Sequence, residues 1–89
     1  MQQKEIEIIN KLGLHARAAA KLVTLAQRFM SEVKVSRNGQ EVNGKSIMGV
    51  MMLAAAKGCM ITLTIEGEDE AQAMQELTIL INNRFDEEE

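Results

Sequence analysis

Apolar and polar residues along this chain recur with two different periods, and each change of period marks a new element. Ile6 and Ile8 alternate with Glu5 and Glu7, which predicts a strand with one buried face. Residues 10–14 break the alternation, and Gly13 gives that loop backbone freedom. Over residues 15 to about 30 the period lengthens. Ala19, Leu22, Val23, Ala26 and either Phe29 or Met30 fall on one side of a helix, while Lys21, Gln27 and Arg28 face water. The alanine run through Ala18, Ala19 and Ala20 favours helix and permits close packing.

Val33 and Val35 then alternate with Glu32, Lys34 and Ser36 in a second strand. Asn38-Gly39 tolerates positive φ at both turn positions, the strongest short signal for a hairpin, so a third short strand is expected over residues 40–43. Ser46 has the chemistry of an N-cap for a short helix over residues 47 to about 54, closed by Lys57-Gly58. Ile61, Leu63 and Ile65 alternate with Thr62, Thr64 and Glu66 in a fourth strand. Cys59 near its start reads as a small buried residue rather than a reactive thiol. Acids crowd Glu66-Gly67-Glu68-Asp69-Glu70, where the dipole of a last helix favours them. Ala73, Met74, Leu77, Leu80 and Ile81 form that helix's apolar stripe, and Arg84 stands near its C-terminus.

The order β-α-β-β-α-β-α predicts an α+β fold: a four-stranded antiparallel sheet with three helices on one face and the other face wet. At 89 residues the chain is expected to form a single domain, 1–89, with little interior to spare for a deep cleft. No apolar run has the length of a bilayer span, so no direct membrane insertion is expected, and the first residues lack the apolar stretch of a secretory signal. A single cysteine excludes an internal disulfide and fits a reducing compartment, the cytoplasm. One histidine and one cysteine do not make the usual zinc ligand set, and neither a metal nor a cofactor is expected. The net charge of −3, without a basic stripe, argues against nucleic acid as a partner. The closing Asp86-Glu87-Glu88-Glu89 reads as a solvated, frayed terminus.

The segment that carries chemistry is Gly13-Leu14-His15-Ala16-Arg17. It places His15 at a helix start, where the first backbone N–H groups lack internal partners and the dipole adds positive charge. Such a site welcomes an anion. Arg17 adds a planar donor fork suited to phosphate oxygens, and Gly13 lets the backbone approach closely. The imidazole of His15 can act as a neutral nucleophile towards phosphorus near neutral pH. The competing structural reading is a surface or capping histidine without chemistry. No second histidine and no P-loop pattern accompanies it, which favours a carrier over a self-sufficient enzyme.

The short helix offers a second feature. Ile47, Met48, Val50, Met51, Met52 and Leu53 make it apolar nearly all round. Val50 and Leu53 are expected to face the core. Ile47 and Met51, with Met48, are then left as an exposed patch for protein docking, rimmed by Lys45 and Lys21. The alternative is simple core packing.

Gly13-Leu14-His15-Ala16-Arg17 resembles the active-site segment of the HPr family, the histidine phosphocarriers of the bacterial phosphoenolpyruvate:sugar phosphotransferase system. Lys45-Ser46-Ile47-Met48-Gly49-Val50-Met51-Met52-Leu53 resembles that family's regulatory serine region, and Glu66-Gly67-Glu68-Asp69-Glu70 is similar as well. The resemblance spans essentially the whole chain. It implies an open-faced β-sandwich. It also implies phosphorylation of His15 on Nδ1 by enzyme I at the expense of phosphoenolpyruvate, contact of Arg17 with the phosphoryl group, and onward transfer to EIIA-type proteins. Ser46 becomes a target of HPr kinase/phosphorylase as well as a cap, and a monomer is the simplest state. One position departs from the pattern: Ala18 stands where the family usually has proline, leaving an extra N–H and a freer backbone from which a helix still forms. Two alternatives share the fold. One is a nitrogen-related regulatory paralogue. The other is a non-phosphorylated interaction module that binds through Ile47 and Met51 and for which His15 is dispensable.

Overall fold

The computed structural model describes residues 1–89. Four strands form at the alternating segments: β1 (Gln2–Glu7), β2 (Glu32–Arg37), β3 (Gln40–Asn43) and β4 (Met60–Glu66). Helices form at the longer period: α1 (Ala16–Ala26), α2 (Ile47–Met52) and α3 (Glu70–Asn82), followed by a 3-10 turn at Arg84–Asp86. The sheet order is β1-β4-β2-β3 with every neighbour antiparallel, so the last strand inserts between the first two. No helix is long and apolar enough to cross a membrane.

Register decides which side chains share a face. Ile6 pairs with Ile61, Val35 with Leu63 and Val33 with Ile65, and all six are buried. Gln3 and Lys34 both pair with Thr64 on the opposite face, which is polar; there Gln3 Nε2 donates to Thr64 Oγ1 at 3.1 Å. The helices cover the apolar face. Ala18, Ala19, Leu22, Val23 and Ala26 of α1, Val50 of α2, and Ala73, Met74, Leu77 and Ile81 of α3 join the strand residues in one apolar cluster. This is the open-faced sandwich expected from the element order. The hairpin turns at Asn38 (φ 52°) and Gly39 (φ 82°), two positive φ values as a type I′ turn requires.

Element ends differ from the periodicity, and each difference has a local cause. α1 stops at Ala26 instead of running to about residue 30. The amides of Met30 and Ser31 leave the helical ladder for the carboxylate of Asp69, at 2.9 and 3.0 Å. Phe29 takes the core position while Met30 points into solvent. α2 ends at Met52 because Ala54 adopts a left-handed φ of 50°, and Arg37 Nη1 donates to the Leu53 carbonyl at 2.9 Å. Cys59 is half-buried just ahead of β4, its carbonyl accepting from the Ile8 amide at 2.9 Å.

The acidic terminus is not frayed. Phe85 is fully buried, Lys21 Nζ donates to its carbonyl at 2.8 Å, and the Lys11 amide donates to the Glu89 carbonyl at 2.7 Å. Burial of one aromatic ring outweighs the preference of the neighbouring acids for water, and the tail is drawn back across the start of α1.

Candidate functional site

Four pieces of chain converge at the start of α1: the loop after β1, the first turn of the helix, the 54–56 segment and the tail. Gly13, at φ +67°, packs its Cα so tightly that an added Cβ would lie 2.5 Å from the Ala55 carbonyl oxygen. Leu14 donates its amide to that same oxygen at 2.9 Å. The glycine is therefore needed for backbone packing against Ala55, not for clearing space at an anion. With Leu14 buried, the loop presents His15 in a fixed place.

His15 is the N-cap of α1, with extended backbone at φ −76° and ψ −179°, and its carbonyl accepts from the Ala19 amide at 2.8 Å. Its side chain makes no capping bond. The amides of Ala16, Arg17 and Ala18 thus have no partner within the helix, which leaves the positive end of the dipole open. Arg17 is exposed and lines the same open groove as His15, about 970 Å³ in volume, with the tail acids on another wall. Ala18 is fully buried and the helix forms through it.

The imidazole itself is held from one side. Glu87 pairs one carboxylate oxygen, Oε2, with His15 Nε2 and accepts at the other, Oε1, from Asn10 Nδ2 at 3.0 Å. Asn10 is fully buried and also donates to the Gly13 carbonyl at 2.8 Å, tying loop to tail. An ionised carboxylate only accepts, so the ring proton is assigned to Nε2 and the lone pair of the neutral ring to Nδ1. Glu87 stays below the usual glutamate range. Burial pushes its pKa up, but the hydrogen bonds from Asn10 and His15, with the charge of the ring when His15 is protonated and that of Lys21, outweigh that. Neither Asn10 nor Glu87 stands out in the sequence. The one available signal is Phe85, a lone aromatic before the acids that has to be buried somewhere.

The second predicted site is a separate place. Ser46 caps α2 by accepting from the Gly49 amide at 3.1 Å. Ile47, Met48, Met51 and Met52 are exposed around that helix, while Val50 and Leu53 are buried. Lys45 directs Nζ onto the Phe29 carbonyl at 2.7 Å, in the turn that follows α1. None of these residues lines the groove beside His15. No group of three or more His, Cys, Asp and Glu side chains is placed to hold a metal ion.

Residues 2–83 match the family described as PTS HPr component phosphorylation site. The phosphocarrier protein HPr of Cupriavidus necator is 61% identical over 89 residues, with 100% of both chains covered. That of Pseudomonas aeruginosa is 60% identical over 90 residues, again covering 100% of each. Among solved structures, HPr-C-His from Thermoanaerobacter tengcongensis superimposes with a TM-score of 0.96 at 45% identity, covering 100% of both chains. A second structure from that organism, described as an HPr dimer, covers 98% of this chain and 100% of its own, with a TM-score of 0.79 at 45% identity. With motif, strand order and length in agreement, the chain belongs to the HPr family of phosphocarriers of the phosphotransferase system.

Proposed function

We propose that His15 accepts a phosphoryl group on Nδ1 from phosphorylated enzyme I and passes it to an EIIA-type protein. The observation that carries this reading is an imidazole at an uncapped helix N-terminus, with Nε2 engaged and Nδ1 without a partner. The Nδ1 lone pair attacks phosphorus and a P–N bond forms. The bond to the donor breaks, and its electron pair leaves with the donor. The incoming dianion meets the free amides of the first turn of α1 and the unpaired guanidinium of Arg17. The weak P–N bond then suits onward transfer. The chain acts as a carrier and not as an enzyme on its own, since its partners supply the second reacting group.

Ser46 serves as the regulatory position for HPr kinase/phosphorylase in this reading. A phosphate there would add about −2 charge beside exposed Ile47 and Met48 while keeping oxygens at the α2 amides. Ile47, Met48 and Met51 form the apolar docking patch, with the stem of Lys45 at its edge. In this reading the chain acts as a monomer in the cytoplasm with these partners.

The test is incubation with phosphoenolpyruvate and enzyme I. The expected product is an acid-labile phosphoryl group on His15, and none on His15→Ala. Wild-type protein that stays unlabelled overturns the reading.

A further inference from the structure

The tail that returns over His15 is anchored more firmly than its composition suggests. Phe85 is fully buried and Lys21 holds its carbonyl. Lys11 takes the Glu89 carbonyl with its amide and the Glu89 carboxylate with Nζ at 3.3 Å. Around the first of these anchors Arg84, Phe85 and Asp86 lie at φ 56°, 53° and 63°. Three successive left-handed residues without a glycine persist only when the surroundings enforce them. Their effect is to turn the chain so that Glu87, back in extended conformation at φ −88° and ψ 151°, aims its carboxylate at His15. Asn10 holds the second oxygen, so the carboxylate has one orientation.

We propose that Glu87 is a positioning residue for transfer at His15: its carboxylate keeps the proton on Nε2 and presents Nδ1 as the nucleophile. This rests on the reading of His15 as the phosphoacceptor. It concerns a residue beyond the 2–83 stretch that matches the family. A carboxylate that orients a histidine through its second nitrogen fixes both tautomer and ring direction. When Nδ1 bonds to phosphorus the ring gains positive charge, and Glu87 is the anion that faces it. The Nε2 proton stays in the His15–Glu87 hydrogen bond throughout, and no proton is gained or lost over the cycle. Hydrogen bonds that hold Glu87 below the ordinary glutamate range keep it ionised for this role.

The test uses Glu87→Ala and Glu87→Gln in the full chain. Two readouts apply: single-turnover transfer from phosphorylated enzyme I, and the His15 Nε2–H resonance by NMR. The alanine variant is expected to lose the slowly exchanging Nε2–H signal and to transfer about tenfold more slowly at saturation, with its KM for phosphorylated enzyme I within about twofold of wild type. Glutamine keeps volume and an acceptor oxygen, and is expected to recover the signal and part of the rate. Transfer by Glu87→Ala at the wild-type rate overturns the proposal and leaves the phosphoacceptor reading intact. Wild type that takes no label overturns that reading itself, and the role of Glu87 with it.

Discussion

His15 and Ser46 occupy the same place in two helices. Each is an N-cap with an extended backbone, and each is followed by a first turn without acidic residues. Ser46 spends its side chain on its own helix, its Oγ accepting from the Gly49 amide. His15 turns away from its helix towards Glu87 and leaves the α1 amides open. Side-chain length decides the difference. A serine oxygen one bond from Cβ reaches the N3 amide, whereas the far nitrogen of an imidazole reaches across to another segment. A helix start is thus a ready anion site only where its cap residue declines to fill it.

The largest effect expected from this comparison is at the open end. His15→Ala should abolish acid-labile labelling by enzyme I and phosphoenolpyruvate while the far-ultraviolet circular dichroism stays native. Labelling that persists at another residue would break the contrast between the two caps. Arg17→Ala comes next. It should slow transfer by about 10- to 100-fold in stopped or quenched-flow assays, with little change in thermal midpoint, since Arg17 is exposed and makes no internal bond.

The filled cap should behave in the opposite way. Ser46→Ala removes the bond to Gly49 and should lower unfolding free energy by about 1 kcal/mol in urea titrations. Its transfer rate should stay at the wild-type value. A Ser46→Ala variant that loses transfer with no change in stability would reverse the assignment of the two sites.

The smallest effect is in acid. Glu87 is lowered for the reasons given above. Asp69 is lowered by the Ser31 hydroxyl first and then by the Met30 amide. A carboxyl with a folded pKa below its unfolded value contributes stability above the unfolded value, about 4, and loses it as pH falls through the folded one. Urea midpoints should therefore be level from pH 7 to about 5 and fall below about pH 4. Asp69→Asn should be less stable near neutrality and show a shallower acid limb. An acid limb identical to wild type would remove Asp69 from the account.

Much of the fold is legible in one sequence because its causes are local. Ile61, Leu63 and Ile65 alternate, so their strand needs no partner to be recognised. Asn38-Gly39 specifies its turn by what φ it tolerates, and Ser46 caps by reach along its own chain. The placement of His15 at a helix start follows from the switch of period at that point. The end of α1 was not legible, because it depends on Asp69, which is 39 residues from Met30 along the chain. Lys45 reads as a docking rim, yet its ammonium lies on the Phe29 carbonyl, a pairing that exists only once α1 and α2 pack.

By itself the sequence determined the strand and helix faces, the two helix caps and the imidazole at the start of α1, because periodicity and capping act within a few residues. Only the tertiary structure decided how that imidazole is held. Glu87 reaches His15 across 72 positions, and four consecutive acids are locally equivalent until the burial of Phe85 selects one of them. Charge in a tail carries no address; packing supplies it.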